Sequence, residues 1–174
     1  LGAFVMSFSA MASSYFINPG DVIRIDVWNE ESLSREVLVR PDGHISLPMA
    51  GEIDTTNNTP SQVGDAISKA LGGYMKDIPQ VVVSLVNVNG NKIYVIGKVT
   101  RPGVFVITSD TDVTQALALA GGLNAFADED DILVLRREPD GKQVAIPFNY
   151  ARVKSGKDLS SNSVLQSRDV VLVP

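Results

Sequence analysis

The sequence predicts an α+β protein, and three observations lead to this fold class. Apolar and polar residues alternate in several short runs, which is typical of strands with one buried face. Two longer stretches carry apolar residues at helical spacing behind a capping residue. Turn motifs that combine proline and glycine separate the strands. The chain has 174 residues and 44% of them are hydrophobic, so it can bury one core or two small ones.

The first predicted strand covers residues 22–28. Its buried face should carry Ile23, Ile25 and Val27. Residues 35–40 and 44–47 flank the sequence Pro41-Asp42-Gly43, which predicts a β-hairpin. Residues 48–58 look like a loop.

A helix is predicted from Thr59 to Tyr74. Thr59-Pro60-Ser61-Gln62 fits a capping box, with proline at the first helical position. The expected apolar stripe consists of Val63, Ala66, Ile67, Ala70, Leu71 and Tyr74. Residues 80–88 follow as a strand.

The second half begins with a strand, a turn and a second strand. Residues 92–99 alternate, Arg101-Pro102-Gly103 turns the chain, and residues 104–107 return. Asp110 or Thr111 is expected to cap a helix that ends at Gly121-Gly122, because glycine accepts the left-handed conformation. The apolar face of this helix should carry Val113, Ala116, Leu117 and Ala120.

The last part of the chain predicts another hairpin and a closing strand. Residues 132–137 and 143–148 flank Pro139-Asp140-Gly141, and residues 149–163 are polar. Residues 169–173 form the closing strand. Its Asp-Val-Val sequence resembles the Asp-Val-Ile at the first strand, and both halves contain a Pro-Asp-Gly turn, but these echoes are too weak to indicate a duplication.

Composition excludes several kinds of function. The net charge of −5 argues against nucleic-acid binding, which needs a basic surface. The chain has no cysteine, so thiol catalysis, disulfides and cysteine-based zinc sites are excluded. The glycine pairs follow helices rather than precede them, so they are not phosphate loops. We predict no catalytic residue, cofactor or metal ion.

Few side chains suggest a site. His44 is the only histidine and has no catalytic partner nearby in the sequence. The acids at 128–131 are contiguous, whereas calcium loops space their ligands, so a solvated loop is expected. A carboxylate pair for glycoside hydrolysis forms in space, and the sequence leaves that chemistry open. Trp28, the only tryptophan, lies near Arg24 in the sequence and could stack on a sugar ring. The sequence favours the alternative, an aromatic residue in a subunit interface.

Residues 1–12 look like the back half of a secretory signal peptide. They are apolar and end in Ala10-Met11-Ala12, an A-x-A cleavage pattern. The alternative is a frayed or partly buried N-terminal segment. No cysteine follows the cleavage point, so we expect no lipid anchor there.

Two sets of motifs resemble the outer-membrane polysaccharide export family. Residues 15–28 read YFINPGDVIRIDVW, and residues 39–51 read VRPDGHISLPMAG. They are similar to the patterns Y-x-I-x-P-G-D-V-L-x-I-x-V-W and V-x-x-D-G-x-I-x-L-P-x-x-G of the family's export domain. Residues 97–103 and 116–122 fit G-x-V-x-x-P-G and A-L-x-x-A-G-G of its soluble-ligand-binding β-grasp (SLBB) domain.

The resemblance implies an export domain at 13–90 and an SLBB β-grasp domain at 91–174. It also implies a non-enzymatic, periplasmic protein associated with the outer membrane of a Gram-negative bacterium. There it would form a homo-oligomeric ring that guides capsular polysaccharide or exopolysaccharide. The implied partners are the polysaccharide, an inner-membrane polysaccharide co-polymerase and a separate outer-membrane β-barrel. We expect a short form of the family that lacks the C-terminal pore helix.

Possible glycan contacts are Trp28, Arg24 and Arg40. Arg168 stands where the family's closing strand usually has glycine, so it must avoid a positive φ or adopt one at a cost. Two other functions stay open, a monomeric glycan-binding module and a polysaccharide-modifying enzyme. The oligomeric mass distinguishes the first two functions, because a ring predicts a large homo-oligomer and a binding module predicts a monomer. Two carboxylates that converge in a cleft would support the enzyme.

Overall fold

Two clusters of buried apolar side chains organise the chain, one at residues 17–71 and one at residues 93–173. The computed structural model describes residues 14–108 and 110–174. The predicted signal-peptide remnant at 1–12 lies outside the described residues. The α+β fold class is confirmed, and the proposed domain boundary between residues 90 and 91 stays a prediction. The elements are β1 Val22–Val27, β2 Arg35–Leu38, β3 His44–Leu47, β4 Gly51–Asp54, α1 Pro60–Leu71, β5 Val81–Asn87, β6 Lys92–Gly97, β7 Gly103–Val106, α2 Val113–Leu119, β8 Ile132–Arg137, β9 Gln143–Phe148, α3 Tyr150–Lys154 and β10 Val170–Val173.

The first sheet has the strand order β2-β1-β5, with β1 antiparallel to both neighbours. The alternation predicted for β1 is confirmed, because Ile23, Ile25 and Val27 are all buried. Helix α1 packs on the same face. A Cβ on Gly64 would lie 3.1 Å from the Val81 carbonyl oxygen, so glycine lets the helix approach β5 closely.

The capping box of α1 is confirmed. Thr59 accepts the Gln62 N–H, and the Gln62 side chain accepts the Thr59 N–H at 2.9 Å. The predicted apolar stripe is wrong at two positions, because Ala66 is exposed and Tyr74 is 71% exposed. Tyr74 lies beyond the end of the helix at Leu71, so helical spacing no longer positions it.

The hairpin predicted around Pro41-Asp42-Gly43 is wrong, although the turn itself forms. Gly43 has a φ of 78° and donates its N–H to the Arg40 carbonyl at 2.9 Å. The strands on either side join different sheets, because β2 pairs with β1 and β3 pairs with β4. The turn therefore transfers the chain from one sheet to the other. The loop predicted at 48–58 is also wrong, because it contains β4.

The second sheet has the order β7-β6-β10-β8-β9. The β6–β7 and β8–β9 hairpins are both confirmed, and β10 lies between them, parallel to β6 and antiparallel to β8. Helix α2 covers one face, and its predicted apolar residues Val113, Ala116, Leu117 and Ala120 are all buried. This hairpin, helix and hairpin arrangement around a central closing strand agrees with the predicted β-grasp domain.

Two local predictions in this half need correction. The N-cap of α2 is Asp112 rather than Asp110 or Thr111, because Asp112 accepts the Gln115 N–H at 2.8 Å and completes a capping box. The polar stretch at 149–163 contains α3, a short helix capped by Asn149. A five-residue helix carries too little apolar periodicity to be detected in the sequence.

The similar sequences that begin at Asp21 and Asp169 correspond to two turns with the same hydrogen bonds. Asp21 accepts the Asn18 N–H at 2.8 Å through its side chain and returns its own N–H to the Asn18 carbonyl at 3.0 Å. Asp169 makes the same two bonds with Gln166, at 2.8 and 3.1 Å. Both aspartates are buried and each leads directly into a strand.

The residue before each of these aspartates has a positive φ. Gly20 has a φ of 96° and Arg168 a φ of 73°. Arg168 thus adopts the left-handed conformation at a cost, because its Cβ crowds the backbone there. The Arg168 side chain is exposed and makes no hydrogen bond or ion pair with the described residues.

We expect Arg168→Gly to raise the free energy of unfolding by about 1 kcal/mol, because glycine removes the Cβ strain at the expense of some unfolded-state entropy. Urea unfolding of the purified protein measures the change. Gly20→Ala is the opposite control and should lower stability. An Arg168→Gly variant no more stable than the wild type would contradict the strain argument.

Candidate functional site

Trp28 lies just after β1, and its side chain is 70% exposed. It lines an open groove of 610 Å³ together with Arg24 and Asp26. The Arg24 Nε lies 3.0 Å from the Asp26 Oδ1, so the two charges pair beside the ring. The structure therefore brings together two of the three predicted glycan contacts, Trp28 and Arg24, while their role stays a prediction.

Arg40, the third predicted contact, is absent from the lining of the Trp28 groove. Its guanidinium lies 2.6 Å from Glu52 and also pairs with Asp42. The Glu52 and Asp42 carboxylates raise the pKa of Arg40 above its ordinary value. Arg40 is thus held by two local carboxylates at the Pro-Asp-Gly turn.

The histidine and the acidic run have local structural partners. His44 is partly exposed, and its Nδ1 lies 3.0 Å from the Asp42 carbonyl oxygen. Asp128 accepts the Asp130 N–H at 3.1 Å, and Glu129 lies 3.3 Å from the Lys154 ammonium. Among residues 14–108 and 110–174, no three acidic or histidine side chains come together as a metal site.

Asp21 connects the two halves of the chain. Its carboxylate is fully buried and accepts the Tyr15 hydroxyl at 2.7 Å and the Gly90 N–H at 2.8 Å. Burial, followed by the bond to Asp21, raises the pKa of Tyr15 well above its ordinary value, so Tyr15 keeps its proton. The Gly90 carbonyl in turn accepts the Ser167 hydroxyl at 3.0 Å.

Gly90 has no room for a side chain. A Cβ there would lie 2.5 Å from the Pro19 carbonyl oxygen and 2.7 Å from the Asp21 Oδ1. Gly90 is therefore fixed between the turn before β1 and the turn before β10. Three residues close to this contact, Asn18, Asn91 and Ser167, line a cleft.

The cleft has a volume of 650 Å³ and lies between the two halves of the chain. The lining residues from the first half are Ser14, Tyr15, Phe16, Asn18 and Asn57, and those from the second are Asn91, Ile107, Thr108, Asp110 and residues 164–167. The sequence reasoning missed this site. Its side chains are mostly amides and hydroxyls from distant positions, and no local spacing relates them.

The outer face of the second sheet is open and apolar. Its strand register places two apolar rows side by side, with half-exposed members such as Val104, at 55%, and Ile96, at 43%. Helices α2 and α3 contribute to the buried cluster on the opposite face. The rows are Val104, Tyr94, Val170, Leu135 and Ala145, and Ile96, Leu172, Leu133 and Pro147.

Comparison with known proteins identifies both halves of the chain. Residues 9–86 match the model of the polysaccharide biosynthesis/export protein family, and residues 92–147 match that of the SLBB domain. The protein is therefore a two-domain protein of mixed α and β structure, with an export domain followed by an SLBB domain. It belongs to the polysaccharide export protein family.

Similar proteins carry export names. The EPS I polysaccharide export outer membrane protein EpsA of Ralstonia nicotianae is 30% identical over 94% of this chain and 48% of its own length. The capsule polysaccharide export outer membrane protein CtrA of Neisseria meningitidis is 27% identical over 72% of this chain and 37% of its own. The polysialic acid transport protein KpsD of Escherichia coli is 27% identical over 63% of this chain and 20% of its own length. The chain thus spans at most about half the length of these relatives.

Within the described ranges, 14–108 and 110–174, none of the helices has the length and hydrophobicity needed to cross a membrane.

If Trp28 stacks on a sugar ring, Trp28→Ala should weaken binding of oligosaccharides from the exported polymer by about three- to tenfold. Isothermal titration calorimetry measures the affinity. Tyr74→Ala is a matched control, because Tyr74 is an equally exposed aromatic outside the groove. Unchanged affinity in Trp28→Ala would favour the interface interpretation of this residue instead.

Proposed function

We propose that this protein is a periplasmic component of a capsule or exopolysaccharide export machine and forms a homo-oligomeric ring that conducts polymer toward the outer membrane. The observation that carries the proposal is the match to both family domains, in order, over most of the chain. The export names of EpsA and CtrA and the transport name of KpsD support it.

The open face of the second sheet supports assembly. Large contiguous apolar surfaces are rare on monomeric proteins and often mark interfaces. A ring requires that one surface of a copy meets a different surface of the next copy. The outer face of the first sheet offers such a second surface, with exposed Trp28, Leu38, Val82 and Val86.

We further propose that the protein is not an enzyme. Among the described residues that line the cleft between the two halves, one carries a carboxylate, Asp110, whereas glycoside hydrolysis ordinarily uses two. The Trp28 groove has three acidic residues in its lining, Asp26, Glu30 and Glu31, and Asp26 pairs with Arg24. Carboxylates therefore do not separate an enzyme from a transport protein at this groove. Export proteins among the relatives agree with a transport role.

The proposed location is the periplasm, in association with the outer membrane, since EpsA and CtrA are named outer membrane proteins. The proposed partners are the polysaccharide, further copies of this chain and an inner-membrane polysaccharide co-polymerase. A separate outer-membrane barrel would receive the polymer from the ring.

A monomeric glycan-binding module is the second candidate, and the polar cleft favours it. The cleft volume lies within the range of ordinary ligand sites, and the cleft lies between domains, where such sites are common. A module would bind glycan without forming large assemblies.

Deleting the gene from the strain that encodes the protein should strongly reduce extracellular polysaccharide, with polymer retained in the cell or its synthesis blocked. The physical reason is that the polymer loses its conduit. Extracellular and cell-retained polysaccharide are measured in parallel, and the intact gene should restore secretion.

Normal secretion of unaltered polymer would contradict the export role, provided that the strain has no second copy of the gene. Normal secretion of a chemically altered polymer would instead favour a modifying enzyme.

A further inference from the structure

The cleft between the two halves is lined by uncharged polar groups and, to a similar extent, by apolar side chains. Four carboxamides line it, from Asn18, Asn57, Asn91 and Gln166. Each amide offers donors and an acceptor on one planar group, which matches sugar hydroxyls, since these also donate and accept. The exposed ring of Phe16 lies in the same lining and offers a flat apolar surface on which a sugar ring can stack.

Two of the amides help to build the walls. Asn18 donates from Nδ2 to the Phe16 carbonyl at 2.8 Å, and Asn91 donates from Nδ2 to the Ile107 carbonyl at 2.8 Å. These bonds fix the orientation of both side chains. The Oδ1 of Asn91 then has no hydrogen-bond donor among the described residues.

The other two amides are available to a ligand. Asn57 and Gln166 are exposed, and their side chains make no hydrogen bond within the described part of the chain. Asn57 comes from the first half and Gln166 from the second. A ligand that bonds both would therefore bridge the halves beside the Asp21–Gly90–Ser167 connection.

The charge of the cleft selects the class of ligand. Among the described residues that line it, one is acidic, Asp110, and none is a lysine or arginine. The whole chain has a net charge of −5. The negative charge of Asp110 and of the whole chain would repel an acidic glycan, and no cation among the described lining residues would compensate for this. The affinity of an uncharged glycan is not reduced by this charge.

We infer that this cleft binds an uncharged oligosaccharide segment, built from neutral hexoses or N-acetylhexosamines. The inference rests on the proposed export function, for which it names the class of polymer segment. Asn57 and Gln166 supply the hydrogen bonds, and Phe16 supplies the stacking surface.

A glycan array carrying neutral, uronate-containing and sialate-containing oligosaccharides tests the inference, with calorimetric titration of the strongest neutral hit. The wild type should bind neutral members in preference to acidic ones. The double variant Asn57→Gly/Gln166→Ala should bind about tenfold more weakly or worse. Glycine is used at position 57 because Asn57 has a φ of 55°, where alanine would be strained.

The matched control is Met49→Gly/Gln143→Ala. Met49 is also exposed and has a φ of 65°, and Gln143 is an exposed glutamine on β9. Neither residue lines the cleft or the Trp28 groove. This control should bind within about twofold of the wild type, and urea unfolding should show that both double variants are folded.

Three results would overturn the inference: no neutral oligosaccharide bound at millimolar concentration, preference for acidic members, or equal losses in the cleft variant and the control. Secretion by the complemented deletion strain separates this failure from failure of the export role. If the wild-type gene restores secretion while the cleft binds no glycan, the export role stands and the cleft assignment is wrong. If secretion never depended on the gene, the export role is wrong whatever the cleft binds.

Discussion

The buried Asp21 carboxylate is the interaction on which the arrangement of the molecule depends. It holds the extended N-terminal residues through Tyr15, closes the turn before β1 through the Asn18 N–H, and fixes the connection to the second half through the Gly90 N–H. A buried carboxylate without such donors would strongly destabilise the fold. Together with the bond from the Ser167 hydroxyl to the Gly90 carbonyl, these three bonds hold Tyr15 and Asn18 near Ser167, and all three residues line the cleft.

Features encoded by neighbouring residues could be predicted from the sequence. The capping box at Thr59, the alternation along β1 and the β8–β9 hairpin each depend on residues within one turn or one strand. Strand partners could not be predicted in the same way. The two Pro-Asp-Gly turns have the same sequence, yet one joins paired strands and the other joins two sheets, because competition with β1 decides where β2 pairs.

The candidate sites also divide into one that neighbouring residues encode and one that only the tertiary fold assembles. Trp28 and Arg24 lie on or beside one strand with even spacing, so the sequence could place them on one face. The cleft draws its amides from positions 18, 57, 91 and 166, which only the tertiary fold brings together. Arg40 could be named from the sequence, but the sequence could not reveal that Glu52, twelve residues away, would pair with it.

Assembly is the central claim of the export proposal, and the oligomeric mass of the purified protein tests it most directly. Multi-angle light scattering over a range of concentrations should give a multiple of the monomer mass. Val104→Glu, which puts a charge on the open face of the second sheet, should shift the protein toward monomer. Ile78→Glu should not, because Ile78 is 75% exposed and lies outside that face. A monomer at every concentration, or equal effects of both substitutions, would contradict assembly through this face.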